Sequence, residues 1–202
     1  MKYLRRIVLL LLVLLACATF SLAQKNKTVA TPATKPAAPP PEREADAANW
    51  KEFDSTTGGF SILFPDRPAE STESMGAVDA HIVRLQTFAE YSVMYADYPD
   101  PIVNEVMVHG ILNSGVRNAI SPDSQLLERK EISLEGNPGK YLKERLPDGK
   151  ILRAKILLVG QRLFQIAITT PEEKDQTEAN IKFYESVASK YLDSFKLIAA
   201  QK

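Results

Sequence analysis

The sequence predicts an α+β fold in which an antiparallel β-sheet of about six or seven strands packs against helices. The first observation is a series of β-compatible runs separated by short connectors that contain Gly, Pro, Asn or Asp. The second is that two segments carry helical signals, and the later one repeats apolar residues at every fourth position. The 202 residues, of which 45% are apolar and 25% charged, are enough to bury one core.

An export signal is expected at the amino terminus, over residues 1–23. Basic side chains precede the apolar run Ile7–Leu15, and small residues lead up to Ala23, which is the three-part pattern of a secretory signal peptide. Cleavage after Ala23 would release the protein to a bacterial periplasm or cell envelope. The alternative is an uncleaved anchor over Ile7–Ala23, although the apolar run is shorter than the about 20 residues of a comfortable spanning helix.

Cys17 is the single cysteine of the chain and a candidate lipid attachment site. The run Leu14-Leu15-Ala16-Cys17 resembles the bacterial lipobox, in which the cysteine is acylated and becomes the first mature residue. The leucine before the alanine departs from that pattern, and Phe20 and Leu22 would be unusual apolar residues in a polar tether. A lipidated form and a soluble form both stay open. A lone cysteine excludes disulfide frameworks and cysteine-clustered zinc sites.

Residues 24–48 are expected to form a disordered linker, which acts either as a spacer or as a leader without a spacer role. The segment contains five prolines and no aromatic residue, so it cannot bury enough apolar surface to offset its ordering entropy. As a semi-extended chain it would reach at most roughly 75 Å at about 3.1 Å per residue. A single folded domain is expected over residues 49–199, and residues 200–202 form a tail.

The first half of the domain is predicted to contain three strands and a helix. Phe60–Phe64 places three large apolar residues on one face, and Pro65 ends it. His81–Ala89 and Tyr91–Asp97 follow so closely on each other that an antiparallel hairpin is the natural connection. Asp100 and Pro101 then fit the cap and the first position of a helix that runs to about Asn118.

The second half is predicted to form an antiparallel meander and a final helix. Short Gly-containing turns separate four runs: Gln125–Leu134, Gly139–Leu146, Ile151–Val159 and Arg162–Thr169. The helix carries apolar residues four apart, from Ala179 to Tyr191, and Phe195 and Leu197 return to the core. Its capping box starts at either Thr170 or Asp175, because a glutamate lies three residues after each.

The order of elements and four motifs resemble the PsbP and DcrB-like domain family, whose fold is shared with the nuclear-transport factor that binds the small GTPase Ran. The motifs are Gly59–Pro65, Gly136–Gly139, Arg162–Gln165 and Leu192–Leu197, and the resemblance covers nearly all of residues 50–198. It implies an α/β/α sandwich in a secreted or lipid-anchored protein that acts as an accessory or binding module rather than an enzyme. These motifs are packing and turn signals, so no functional residue of the family can be carried over, and nothing in the sequence supports photosystem association.

Glu105 and His109 are the residues that come closest to a metal-binding pattern. They lie four positions apart on the predicted helix, so both could face one ion. Such a site would need further ligands, for example His81 or Asp97 from the sheet. A solvent-facing pair without a ligand is the simpler interpretation, and we predict no metal and no cofactor.

Two other sets of residues have ordinary structural explanations. Asp97 and Asp100 could bind a hard cation through oxygen, but turn formation and helix capping account for them. Three methionines could serve as thioether ligands of copper, although core packing is the usual role of methionine: Met75, Met94 and Met107.

Several functional classes lack the residues that they require, and no catalytic residue is predicted. There is no Gly-x-Ser-x-Gly elbow, and Gly110–Gly115 spaces two glycines like a phosphate loop without the Lys that must follow. The 25 basic and 25 acidic side chains balance over the chain. Between residues 128 and 145 the two signs are interleaved, which indicates exposed cross-strand pairs rather than a nucleic-acid surface.

The sequence therefore predicts a noncatalytic, exported accessory domain that binds another envelope protein. The alternative is a small-ligand or metal-binding envelope protein with a pocket between sheet and helix near Tyr95, Asp97, Glu105 and His109. Neither the identity of a partner nor the oligomeric state follows from the sequence.

The mature amino terminus tests the two export interpretations. Mass spectrometry of the protein from its native membrane and soluble fractions is expected to show either Gln24 as the first residue or an acylated Cys17. Acylation would make residues 24–48 part of a membrane tether. An intact Met1 in the exported fraction would contradict cleavage and favour the uncleaved anchor.

Overall fold

The computed structural model describes residues 49–75, 78–171 and 176–198. The predicted signal peptide, Cys17, the linker and the tail lie outside these residues. In the part of the chain that is described, neither helix is long and apolar enough to cross a membrane.

The described residues form ten strands and two α-helices. The strands are Lys51–Ser55 (β1), Phe60–Phe64 (β2), Ala69–Met75 (β3), Val78–Gln86 (β4), Glu90–Asp97 (β5), Gln125–Leu134 (β6), Asn137–Arg145 (β7), Ile151–Val159 (β8), Arg162–Thr170 (β9) and Lys196–Leu197 (β10). The helices are Glu105–Ala119 (α1) and Glu178–Asp193 (α2). The α+β class and the seven-stranded antiparallel sheet are confirmed, whereas the small second sheet was not predicted.

The large sheet has the strand order β3-β4-β5-β9-β8-β7-β6, and every neighbouring pair is antiparallel. Two runs of consecutive hairpins, β3 to β5 and β6 to β9, meet where β9 pairs with β5. Tyr95 lies opposite Phe164 in this pairing, and Asp97 lies opposite Arg162. The predicted meander of four strands is confirmed.

The sheet is covered on both faces, as an α/β/α sandwich requires. On one face, α1 packs on β7 and β8, and Leu112 and Val116 share a hydrophobic core there with Leu142 and Ile156. On the other face, α2 and the small sheet β1-β2-β10 share one core with the opposite side chains of the large sheet. Because alternate residues of a strand point to opposite faces, each central strand contributes to both cores.

Aromatic rings fill the core between α2, the small sheet and the large sheet. Phe60 of β2 stacks on Phe195, with ring centroids 5.4 Å apart, and Phe64 lies 5.4 Å from Tyr191 of α2. Tyr191 in turn meets Tyr91 of β5 edge to face at 5.1 Å. Each such ring pair adds about 1 kcal/mol beyond the burial of its area. The predicted return of Phe195 to the core is confirmed.

Three strands were not predicted, the two-residue β10 and two longer strands, β1 and β3, whose sequences are mostly polar. In β1, Lys51, Glu52 and Asp54 are exposed, and the strand is held by pairing along β2. β3 is an edge strand of the large sheet whose exposed residues show no apolar alternation. Apolar periodicity detects strands that face a core, and neither segment buries a full face.

The predicted starts of both helices were wrong. Asn104 caps α1 by accepting a hydrogen bond from the amide of Met107 at 2.9 Å, so Asp100 is not the cap. Residues 98–104 connect the end of β5 with α1, which lies over β7 and β8. Thr177 caps α2, whereas Thr170 is buried at the end of β9 and Asp175 lies outside the described residues.

Glu144 of β7 is fully buried on the α1 face, where an acidic side chain is unusual. Its carboxylate accepts a hydrogen bond from the Ser124 hydroxyl at 2.5 Å and a long one from the Ser121 amide at 3.4 Å. Glu144 thereby ties the connection between α1 and β6 to the sheet. Burial raises the pKa of Glu144 above the ordinary glutamate value, and these hydrogen bonds offset only part of that effect.

Glu144→Gln is expected to make the protein more stable at pH 7 to 8. Because the pKa of Glu144 is raised in the folded state, the contribution of this residue to stability is complete below the ordinary glutamate pKa. It is lost as the pH rises through the raised pKa of the folded state. The amide carries no charge and still accepts from Ser124, so the expected gain is about 1 kcal/mol. Urea unfolding between pH 4 and pH 8 measures it, and the advantage should vanish at the acid end. Exposed Glu52→Gln is the control. Lower stability of Glu144→Gln at pH 8 would contradict the prediction.

Candidate functional site

The structure brings three of the predicted site residues together at one end of the sheet. The His81 ring stacks on the Tyr95 ring with centroids 4.8 Å apart, and His81 Nδ1 lies 3.1 Å from the Thr72 hydroxyl. Asp97 follows two residues after Tyr95 on the same face. Tyr95 is buried against Phe60 and Phe164, so its ring belongs to the aromatic core.

Arg162 binds Asp97. The sequence analysis placed Arg162 only in a packing motif. The guanidinium donates two hydrogen bonds of 2.7 Å to the two oxygens of Asp97. It also donates to the carbonyls of Thr57 and Gly58 at 2.9 and 2.7 Å, and it lies 4.9 Å from the Tyr95 ring centroid. The hydrogen bonds from Arg162 lower the pKa of Asp97. Asp97 therefore joins β5 to β9 and the β1–β2 turn.

Glu105 and His109 lie on α1, on the opposite face of the sheet from Tyr95. Both side chains are exposed. His109 lies near Glu131 of β6, whose pKa is lowered mainly by the hydrogen bond from Lys140 and to a smaller extent by His109. The pocket proposed from Tyr95, Asp97, Glu105 and His109 is therefore not assembled. Among the described residues, no three His, Cys, Asp or Glu side chains are grouped so that they could hold a metal ion.

The remaining candidate ligands are also dispersed. Asp100 is exposed in the connection before α1 and caps no helix. Met94 and Met107 are partly buried on β5 and α1, and the side chain of Met75 lies outside the described part of the chain. Two thioethers do not complete a copper site.

A concave surface of about 500 Å³ forms a groove between α2 and the outer strands of the sheet. We call it the α2 groove. Since α2 packs mainly on β8 and β9, the α2-facing side chains of β6 and β7 lie at the edge of the helix rather than beneath it. The lining residues are Glu128, Lys130, Ile132, Tyr141, Lys143, Arg153, Lys155, Glu185, Ser189, Leu192 and Asp193.

Ion pairs organise the charged side chains of the α2 groove. Lys130 lies 3.0 Å from Glu128, and Lys155 lies 2.7 Å from Asp193. Lys155 also donates to the Leu192 carbonyl at the end of α2. The hydrogen bond with Glu128 raises the pKa of Lys130. The first pair lies within β6, and the second joins β8 to α2.

Lys143, Arg153 and Glu185 form the deepest charged cluster of the α2 groove. Glu185 contacts both cations, Lys143 at 3.7 Å and Arg153 at 3.9 Å. Arg153 is buried and donates to the Thr170 hydroxyl at 3.1 Å, which fixes the guanidinium against the sheet. The contacts with Thr170 and Glu185 hold the Arg153 side chain in a defined position on the wall of the groove.

A smaller concave surface of about 320 Å³ lies beside His81 and Tyr95. Its other lining residues come from the edge strand β3 and from β4: Glu70, Ser71, Thr72, Ile82 and Val83. This surface is separate from the α2 groove and involves none of its residues.

The sequence did not identify the α2 groove, although it singled out the charges that form part of it. Interleaved charges over residues 128–145 predicted cross-strand pairs, and Glu131 and Lys140 are indeed opposed and ion-paired. Their expected exposure was wrong for Lys140 and Glu144, which are buried. Arg153 and Lys155, at alternate positions of an otherwise apolar strand, were the available signal for a polar patch under α2.

Arg162→Lys is expected to lower the free energy of unfolding by about 2 kcal/mol. Lysine keeps the charge but cannot reproduce the fork that bonds both oxygens of Asp97 and two carbonyls at once. Urea unfolding at pH 7 measures the change. Arg117→Lys is a matched control, because Arg117 makes an exposed hydrogen bond to Ser114 on the same helix. Equal effects of the two substitutions would contradict the prediction.

The loss of stability at acid pH tests the Asp97–Arg162 interaction independently. Because the folded-state pKa of Asp97 is lowered, its contribution is present above the ordinary aspartate value and is lost as the pH falls through the lowered value. Asp97→Asn is therefore expected to be less stable than the wild type at pH 7 and to lose less stability between pH 5 and pH 2. Parallel acid titration curves would show that Asp97 does not contribute.

One solved structure supports this architecture. No family model matches the chain, and no curated protein matches it. Among solved structures, cyanobacterial PsbP (CyanoP) from Synechocystis is similar with a TM-score of 0.50 and 16% sequence identity, covering 74% of this chain and 93% of that one. The Ran-binding protein Mog1p of Saccharomyces cerevisiae has a TM-score of 0.43 and 9% identity, over 74% of this chain and 96% of its own. The chain has a PsbP-like fold, as the sequence motifs predicted.

Proposed function

We propose that this chain is a noncatalytic accessory domain of the cell envelope that binds another protein through the α2 groove. The observation that carries the proposal is the open groove itself, which brings charged side chains from three strands and one helix to a single surface. A PsbP-like fold is consistent with an accessory, protein-binding domain.

The character of the α2 groove favours a macromolecular partner over a small molecule. Sites for small ligands are enclosed, mostly apolar and carry few polar groups. The α2 groove is open, and among the described residues that line it, seven of eleven are charged. Exposed charged side chains on a rigid scaffold select a partner and steer its approach, which is the role that they have at protein interfaces.

The segment that precedes the domain supports a location outside the inner membrane. The pattern of residues 1–23 directs export, and residues 24–48 would separate the domain from its point of release or attachment. With an acylated Cys17, the domain would search for its partner within the roughly 75 Å that the linker can reach.

A small-ligand protein is the second candidate, and the concave surface beside His81 and Tyr95 favours it. The surface carries a histidine, a carboxylate and two hydroxyl side chains within about 320 Å³. A thermal-shift screen against divalent metals and small metabolites separates the two candidates, because a ligand that binds only the folded state must raise Tm. Stabilisation that is lost in His81→Ala would favour this second function.

Site-specific photocrosslinking tests the proposed function. We expect p-benzoylphenylalanine placed at Ser189, an exposed residue of the α2 groove, to crosslink one envelope protein in the intact cell. The same group at His109, exposed on the opposite face, is the control. The protein recovered should then bind the purified domain, and an excess of unmodified domain should suppress the crosslink. Identical products from both positions, or none from Ser189, would contradict the proposal.

A further inference from the structure

We propose that the exposed side of α1 binds a second copy of this chain, so that two α1 helices pack antiparallel about a two-fold axis that passes Gly110. We call this side the α1 outer surface, and it consists of Val103, Val106, Gly110, Ser114 and Arg117. The inference goes beyond the proposed function and does not depend on it, because α1 and the α2 groove lie on opposite faces of the large sheet.

Gly110 lies at the centre of the exposed side of α1. The residues of the helix that are buried against the sheet are Leu112, Gly115, Val116 and Ala119. At about 3.6 residues per turn, the mean direction of these four residues is opposite to that of Gly110. Val106 and Ser114, four positions before and after Gly110, share its side of the helix, and so does Arg117. Val103 precedes the helix at the same side.

Nothing in the described part of the chain requires a glycine at position 110. A Cβ placed there would meet no described atom within 4 Å, whereas a Cβ at Gly115 would lie 3.0 Å from the Ile156 side chain. Glycine is among the least favourable residues in a helix interior. Close packing of α1 on the sheet explains Gly115. We attribute Gly110 to the close approach of a second helix from outside.

Two large apolar side chains lie beside Gly110 in contact with water. Val103 and Val106 are 73 and 81% exposed, and neither belongs to the two hydrophobic cores that the described residues form. A single exposed valine needs no explanation. Here two of them adjoin a glycine that leaves room for another backbone. A helix packed at Gly110 would remove both valines from water, which favours association.

The charges of α1 favour a second copy of the same helix in antiparallel orientation. Glu105 lies in the first turn of α1, and Arg117 lies in the last turn. An antiparallel copy brings the acidic end of each helix near the basic end of the other, and the two helix dipoles then attract each other. A parallel copy would bring like charges together. The α1 outer surface is thus complementary to itself, as a two-fold interface requires.

The dimer is expected to be weak. α1 has 15 residues and is about 22 Å long, so one helix pair buries less than the about 1,200 Å² of a standard stable interface. We expect a Kd of about 10–100 µM, which is typical of transient association. Both α2 grooves remain uncovered in this arrangement, so that one dimer presents two of them.

Sedimentation velocity of the natively purified protein, from about 5 to 500 µM, measures the association. The wild type is expected to shift from monomer to dimer over this range, and Gly110→Leu is expected to weaken association at least about tenfold. Leucine favours a helix more than glycine does, so Gly110→Leu should also raise the Tm of the dilute monomer by about 2–4 °C. A purely structural role of Gly110 would change only the Tm. Ser186→Leu, which adds an exposed leucine to α2, is the matched control and should leave association unchanged.

Cysteine pairs test the antiparallel geometry. Cys17→Ser in the background removes the only other thiol. Val106→Cys and Ser114→Cys are each expected to stay monomeric on a nonreducing gel after mild oxidation, and to form a disulfide-linked dimer when the two variants are mixed. The reason is that position 106 of one copy faces position 114 of the other when the axis passes Gly110, whereas a disulfide requires Cα atoms within about 7 Å.

Three outcomes would overturn the inference. They are a monomer at every concentration, unchanged association in Gly110→Leu, and disulfide linking of Val106→Cys with itself, which would indicate a parallel pair. A photocrosslink from His109 to a different protein and not to a second copy would overturn it as well. A crosslink from His109 to a second copy has twice the mass of the chain, so it is distinguishable from a partner crosslink at Ser189. The proposed function therefore stands or fails separately.

Discussion

Pairing of β5 with β9 is the constraint on which the rest of this fold depends. Asp97 and Arg162 are 65 residues apart in the chain, yet they are opposed in register and joined by two short hydrogen bonds. Without this pairing, the hairpins β3-β4-β5 and the meander β6 to β9 would be two sheets with two incomplete cores. Arg162 extends the constraint to a third unit, because it also holds the β1–β2 turn through the Thr57 and Gly58 carbonyls. A planar fork with five donors can meet these partners at once.

The position of the β5–β9 pairing within the sheet determines where concave surfaces arise. Since β9 lies between β5 and β8, the chain that leaves β9 as α2 can cover only the middle of the sheet. The small sheet completes the layer beside α2, with β2 and β10 bringing Phe60 and Leu197 to the same core. On this face the outer strands β6 and β7 project beyond the helix, and their side chains form the floor and wall of the α2 groove. The groove is thus a consequence of a sheet that is wider than its helical cover.

Sequence patterns predicted those elements whose residues face the core and failed where the determining contact is distant. Ile151–Val159, whose residues are mostly buried, was predicted with its observed bounds. Gln125–Leu134 was also predicted with its observed bounds, although most of its residues are exposed. The connector predicted over Glu135–Gly139 is shorter in the structure, because Glu135-Gly136, both with positive φ, form the turn and β7 begins at Asn137. β3 could not be predicted, because an exposed edge strand of Ala, Glu, Ser and Thr is specified by its partner β4. The grouping of Glu105 with Tyr95 failed for a related reason: spacing along the chain does not reveal on which face of the sheet a helix packs. Charge alternation indicated β6 and β7, which form part of the α2 groove. The other side of the groove comes from α2, with Glu185 and Asp193, and the sequence pattern did not connect this later helix with those strands.

The charges of the α2 groove differ from the other buried charges in this molecule. Lys140 and Glu144 are closed off on the α1 face by groups of the same chain, Glu131 and Ser124, and thereby fasten an edge strand and a loop. Arg153 and Lys155 lie on the α2-facing side of β8, between Ile151 and Leu157, where apolar side chains would continue the core. Removing a cation from water costs several kcal/mol, and apolar replacements of similar volume often stabilise a protein. A domain optimised only for folding would place aliphatic residues there and extend α2 over them. The departure from the core pattern at two alternate positions, within an open groove, is the feature of this strand that supports the proposed binding role.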